Sequence, residues 1–111
     1  GRVETDDCRI DWWRPAEEIR RLVRACTPWP GAWCLLGGQR VKVQDVSVVQ
    51  NVLREEGRAG RIVELPTGGG PIVLAGEGAL QIRALQPAGK RSMSGEEFLR
   101  GARLARGDGF D

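Results

Sequence analysis

The apolar positions of this chain change period along its length. Ile19, Leu22, Val23 and Cys26 recur at i, i+3, i+4 and i+7, the stripe of an amphipathic helix. A helix is predicted from about Pro15 to Cys26, because proline suits the first helical position and Glu17 and Glu18 complement the positive end of the dipole. Beyond it the period falls to two. Val41 and Val43, then Val46 and Val48, alternate with polar residues, and a one-residue slip at Asp45 marks a bulge or bend. Ala32 to Leu36 and Arg40 to Val49 read as strands joined by a tight Gly37-Gly38 turn. After a charged segment from Arg54 to Gly60, Arg61 to Leu65, Pro71 to Ala75 and Ala79 to Gln86 read as three more strands, separated by glycine turns. The last helix begins at Ser94-Gly-Glu-Glu97, a capping box, with Met93 and Phe98 placed as a hydrophobic staple. Arg100, Arg103 and Arg106 point outward near its negative end, and Gly107-Asp-Gly109 ends it.

A helix, five short curved strands and a closing helix fit a mainly β fold: a small antiparallel OB-like barrel of five or more strands with an N-terminal and a C-terminal helix. The expected domain occupies residues 10–106. Residues 1–9 are polar and without apolar periodicity, as in a linker, and 107–111 read as a tail. At 111 residues the chain is one domain's worth, and its sixteen glycines and six prolines suit many turns between short elements.

Composition removes several functions. With neither histidine nor tyrosine, the chain lacks the commonest general base, the commonest metal ligand and most catalytic triads, so no catalytic residue is assigned. The carboxylate pairs Glu17-Glu18, Glu55-Glu56 and Glu96-Glu97 are adjacent residues that diverge, and they read as solvated faces and helix starts. Gly68 to Gly70 lacks the lysine and hydroxyl residue of a nucleotide loop and is turn chemistry. Cys8, Cys26 and Cys34 are odd in number and lack C-x-x-C spacing, so neither a disulfide framework nor a zinc site is suggested; Cys26 and Cys34 read as core thiols. No apolar run approaches the roughly 20 residues that span a bilayer, and the acidic start is unlike a signal peptide, so a cytoplasmic location without membrane contact is expected.

Charge restores a candidate function. The formal net charge is only +2, but the signs are unevenly distributed. Arg20, Arg21, Arg24, Arg40 and Lys42 fall between Ile19 and Gln44 with no acid among them, and Lys90 and Arg91 lie in a loop where Pro87 and Gly89 break the strand. A basic face on a nearly neutral molecule suits a phosphate-rich partner. For the helix arginines the plainer reading is solubilising surface with Glu17 pairing to Arg21. Trp29, between Pro28 and Pro30, is expected on extended backbone. It could stack on a base or dock a partner, but packing over the barrel end is its expected use.

At Ile10-Asp-Trp12, Val23-Arg-Ala-Cys-Thr-Pro-Trp-Pro-Gly-Ala-Trp33, Val41-Lys-Val43, Gly76-Glu-Gly78 and Leu85-Gln-Pro-Ala-Gly-Lys-Arg-Ser-Met93 the chain resembles the C-terminal domain of methionyl-tRNA formyltransferases. The resemblance runs from Arg9 to Gly101, with the motifs in family order. It implies an OB-like barrel joined by a linker to an N-terminal Rossmann-type domain, which binds 10-formyltetrahydrofolate and carries the catalytic chemistry of translation initiation. The domain seen here would hold no cofactor or metal. It would be an accessory partner of its own N-terminal catalytic domain, holding the tRNA acceptor arm by its sugar-phosphate backbone. Lys42, Lys90 and Arg91 match basic positions of the family motifs; Arg20, Arg24 and Arg40 are added from charge, and Trp29 as a stacking or docking residue. The alternative is a formyltransferase acting on another amine, in which this domain is an interdomain scaffold that binds no nucleic acid and uses Trp12, Trp13 and Trp29 as docking anchors.

Overall fold

The computed structural model describes residues 5–50, 52 and 58–111. Glu55-Glu56, the rest of 54–57 in the charged segment and residues 1–4 of the expected linker lie outside the described residues. The apolar stripe forms helix α1 (Ala16–Cys26), burying Ala16, Ile19, Val23 and Cys26. Its start is held by backbone from across the fold. The Ala16 N–H donates to the Glu77 carbonyl at 2.8 Å and the Gly76 N–H to that of Arg14 at 3.0 Å. A Cβ on Gly76 would lie 1.7 Å from the Trp13 carbonyl oxygen, so only glycine permits the approach.

The period-two segments form β1 (Ala32–Leu36), β2 (Gln39–Val49), β3 (Ile62–Glu64), β4 (Ile72–Leu74) and β5 (Ala79–Pro87). A short β6 (Met93–Ser94), absent from the sequence reading, precedes helix α2 (Gly95–Gly101). All pairings are antiparallel in the order β1-β2-β5-β4-β3, with β6 added to β5. The slip at Asp45 is a true irregularity: the register passes from Val43 opposite Leu85 to Val46 opposite Ile82. Val41, Val43 and Val46 of β2 and Leu80, Ile82 and Leu85 of β5 meet Ile19 and Val23 of α1 in one core. The fold is thus the small antiparallel β architecture expected, but β1 and β3, the ends of the sheet, do not pair with each other.

Residues 107–111 occupy the gap between them. On the β3 side, the Gly107 N–H donates to the Ile62 carbonyl, the Ile62 N–H to that of Asp108 and the Phe110 N–H to that of Gly60, each at 2.8 Å. On the β1 side, Leu35 and Asp111 exchange N–H···O bonds of 2.7 and 2.8 Å. This stretch, expected as a tail, is therefore a backbone seam that satisfies two sheet edges otherwise open to solvent or to another chain. Phe110 is only 2% exposed, its ring 5.8 Å from that of Trp12.

Residues 5–10 are also folded in. Within the stretch read as a linker, Thr5–Cys8 forms a 3₁₀ turn, Arg9 bridges in parallel to Trp33, and the Ile10 N–H donates to the Trp33 carbonyl at 2.8 Å. Cys8 is bonded to Cys26 across a Cα separation of 6.0 Å, which corrects the reading of Cys26 as a free thiol. Spacing could not reveal the pair, because it is β1 that brings residue 8 to the last turn of α1. Cys34 is the free, buried cysteine.

Helix α2 keeps half of its capping box. The Ser94 hydroxyl accepts from the Glu97 N–H at 3.0 Å, but the Glu97 carboxylate pairs with Arg91 instead of turning back to residue 94. Phe98 is buried and Met93 half-buried against the core. The helix ends at Gly101, because Ala102 turns to extended backbone, so Arg103 and Arg106 lie beyond it rather than on its last turn. Among the described residues no helix is long and apolar enough to cross a membrane.

Two measurements test this arrangement. Phe110→Ala should cost about 3–5 kcal/mol in urea unfolding, since it empties a buried aromatic site at the seam; a loss below about 1 kcal/mol would show that the seam does not depend on the ring. Burial pushes the Cys34 thiol from 9.0 up to about 12, opposed by Arg9 and reinforced by Asp111. Below pH 9.0 the thiol is protonated in both states; above it the unfolded chain ionises first, so this contribution to stability is whole below 9.0 and is lost as pH rises toward about 12. With the Cys8–Cys26 bond intact, iodoacetamide at neutral pH should leave the folded chain unmodified and add one group after unfolding, read by intact mass. Equal labelling rates in the two states would contradict the burial.

Candidate nucleic-acid interface

Alternation along β2 sends Val41 and Val43 into the core, and so sends Arg40, Lys42 and Gln44 to the outer surface. The register sets Lys42 opposite Trp33 on β1 and opposite Gln86 on β5. The Arg40 guanidinium carbon lies 3.7 Å from the centre of the Trp33 ring, and that of Arg9 lies 5.1 Å from it. These two cations help cover an indole that is only 5% exposed, and its ring N–H donates to the Thr5 carbonyl at 2.7 Å.

The basic loop is fastened to the same surface. The Ala88 N–H donates to the Arg40 carbonyl at 2.9 Å, and the Gln86 amide donates to the Lys90 carbonyl at 3.0 Å. The Gln44 amide donates to the Ser92 hydroxyl at 2.9 Å. Gly89, at φ +75°, makes the turn that an L-residue side chain would strain. Arg40, Lys42 and Lys90 are thereby gathered around one end of β2, and no ion pair joins any of them to a carboxylate among the described residues.

The other expected cations are disposed differently. Arg91 is paired with Glu97 and also donates to the Ser92 carbonyl at 3.3 Å, so its charge is largely met within the fold. Arg20 on α1 bonds Glu17 through two nitrogens, at 3.0 and 2.5 Å; this hydrogen bonding holds the Glu17 carboxyl below its ordinary range and raises the Arg20 guanidinium. Arg24 is exposed at the last turn of α1. Arg9 was missed. It falls in a stretch without periodicity, and only the long-range bridge to Trp33 reveals its place.

Trp29 departs furthest from expectation. It does not pack over the barrel end but is 81% exposed. The peptide bonds before Pro28 and Pro30 are both cis, and residues 27–30 form a turn rather than extended backbone. The turn is pinned by the Gly31 N–H, which donates to the Cys26 carbonyl at 2.8 Å. Lys42 reaches over the ring, its ammonium 5.9 Å from the centre. Gly31, at φ +101°, makes room: a Cβ there would sit 3.0 Å from Lys42 Cδ.

This arrangement presents cations that can hold anions. Among the described residues no cluster of histidine, cysteine or acidic side chains is placed to hold a metal, and the one free thiol is buried and protonated.

A family model described as "Formyl transferase, C-terminal domain" matches residues 2–103. A methionyl-tRNA formyltransferase of Cereibacter sphaeroides is 40% identical over 106 residues, which is 96% of this chain and 32% of that protein. One from Bacillus pumilus is 37% identical over 102 residues, 92% of this chain and 32% of its own length. The chain thus spans about a third of these relatives. Among solved structures, HypX from Aquifex aeolicus in complex with tetrahydrofolic acid superposes with a TM-score of 0.73 at 19% identity, over 87% of this chain and 17% of that one, a likeness of fold.

Proposed function

Since the chain belongs to the family of formyl transferase C-terminal domains, we propose that it is the RNA-holding domain of a methionyl-tRNA formyltransferase. It grips the sugar-phosphate backbone of the tRNA acceptor arm while the part of the protein outside this chain transfers the formyl group. The observation that supports this most is the gathering of Arg40, Lys42 and Lys90 on one outer surface, none of them joined by an ion pair to a carboxylate among the described residues. A cation already paired within the fold must break that pair to meet a phosphate; these need not. In this reading Arg9 extends the grip past Trp33, whereas Arg20 and Arg91 contribute less because Glu17 and Glu97 hold them. Arg24 serves at the margin.

Phosphate contacts orient an RNA without reading its sequence, which suits a domain whose neighbour recognises identity. In this reading the donor, 10-formyltetrahydrofolate, and the catalytic residues belong to the part of the protein outside this chain, which spans about a third of its relatives' length. Translation initiation in the cytoplasm is the setting this assignment implies. Binding by the 111-residue chain should be weak and salt-dependent, with Kd about 10⁻⁴ to 10⁻⁶ M.

The test is a titration of labelled tRNA followed by anisotropy at several salt concentrations. Lys42→Ala combined with Lys90→Ala should weaken binding and reduce the slope of log K against log salt by about 1–2. Arg91→Ala alone should change the slope less than either lysine. A double variant that titrates like the parent would remove these residues from the interface.

A further inference from the structure

We infer that Trp29 and Lys42 form a stacking site for one unpaired nucleobase of the RNA, an inference that rests on the RNA-holding reading above. Trp12 and Trp33 are 3% and 5% exposed, so the fold buries indoles where it can. Trp29 is left 81% exposed on a turn fixed at both sides, the Thr27 N–H donating to the Val23 carbonyl at 3.1 Å and the Gly31 N–H to that of Cys26 at 2.8 Å. The ring is therefore displayed from a held backbone, so a ligand that meets it need order only the side chain.

Its surroundings select the ligand. The Lys42 ammonium stands 5.9 Å from the ring centre, and Gln86, the strand neighbour of Lys42, holds the Lys90 loop. An aromatic face beside uncommitted cations complements a base and the phosphate attached to it, whereas a protein-docking anchor sits within an apolar patch. The other exposed indole, Trp13 at 67%, shows the contrast. Its neighbour Arg14 faces Asp11 at 3.9 Å and Glu18 at 3.8 Å, so the cation next to it in sequence is already met by carboxylates. A base inside a duplex has both faces covered by its stack, so the ring takes an unpaired one.

The experiment compares a single-stranded RNA with a blunt RNA duplex of equal phosphate count, using the 111-residue chain and its Trp29→Ala, Trp29→Leu, Trp29→Phe and Lys42→Ala variants, each checked for fold by circular dichroism. Trp29→Ala and Trp29→Leu should weaken the single strand about 5-fold or more and leave the duplex unchanged, Trp29→Phe should restore most of the loss, and Lys42→Ala should weaken both RNAs. If Trp29→Ala changes neither RNA while Lys42→Ala weakens both, stacking is overturned and the RNA-holding reading stands. Equal weakening of both RNAs by Trp29→Ala also overturns it. A parent chain that binds neither RNA at low salt overturns both. If Trp29→Ala instead weakens only a complex with the catalytic region of the protein, the ring is a protein anchor and the inference fails.

Discussion

The outer edge of β1 is the constraint on which the rest of the molecule depends. One half of it is met by residues 9–10 at Trp33 and the other by residues 110–111 at Leu35 and Leu36. A short strand with an open edge is both a template for aggregation and a weak support for what it carries. Here both halves are occupied by backbone from opposite ends of the sequence. Trp33 is fixed, and with it the positions of Arg9 and Arg40 over its ring.

What separates the committed cations from the available ones is whether the fold sets a carboxylate within reach, as it does for Arg91 and Arg83 but not for Arg40, Lys42 and Lys90 among the described residues. On the helices, acids stand at the spacings where side chains meet: Glu17 lies three residues before Arg20 and four before Arg21, and Glu96 four before Arg100. Such pairs add little to stability at an exposed surface, yet they decide whether a charge faces outward unaccompanied. Along β2 the outward neighbours of Lys42 are Arg40 and Gln44, and across the sheet Gln86, while the carboxylate of this strand, Asp45, faces Arg83 at 3.6 Å. The amides there bond the basic loop instead of opposing its charge.

Most of the regular structure could be read from the chain because it is locally encoded. The stripe of α1, the alternation of β2, the slip at Asp45 and the serine cap of α2 each depend on residues close in sequence. The ends could not be read. Cys8 meets Cys26, and Phe110 meets Trp12, only after the sheet has curved, and nothing in their spacing announces it. The candidate site divides in the same way. Alternation foretold that Lys42 faces outward, and the broken strand pattern foretold the Lys90 loop; the capture of Arg91 by Glu97 and the role of Arg9 follow from contacts between elements. Trp29 was misjudged because hydrophobicity alone argues for burial, while the turn at residues 27–30 carries the ring outward.

Residues 9–10 and 110–111 lie along one strand, so the polypeptide enters and leaves this unit through a single doorway. Tension drawn between the two would therefore load this one strand from both of its halves at once.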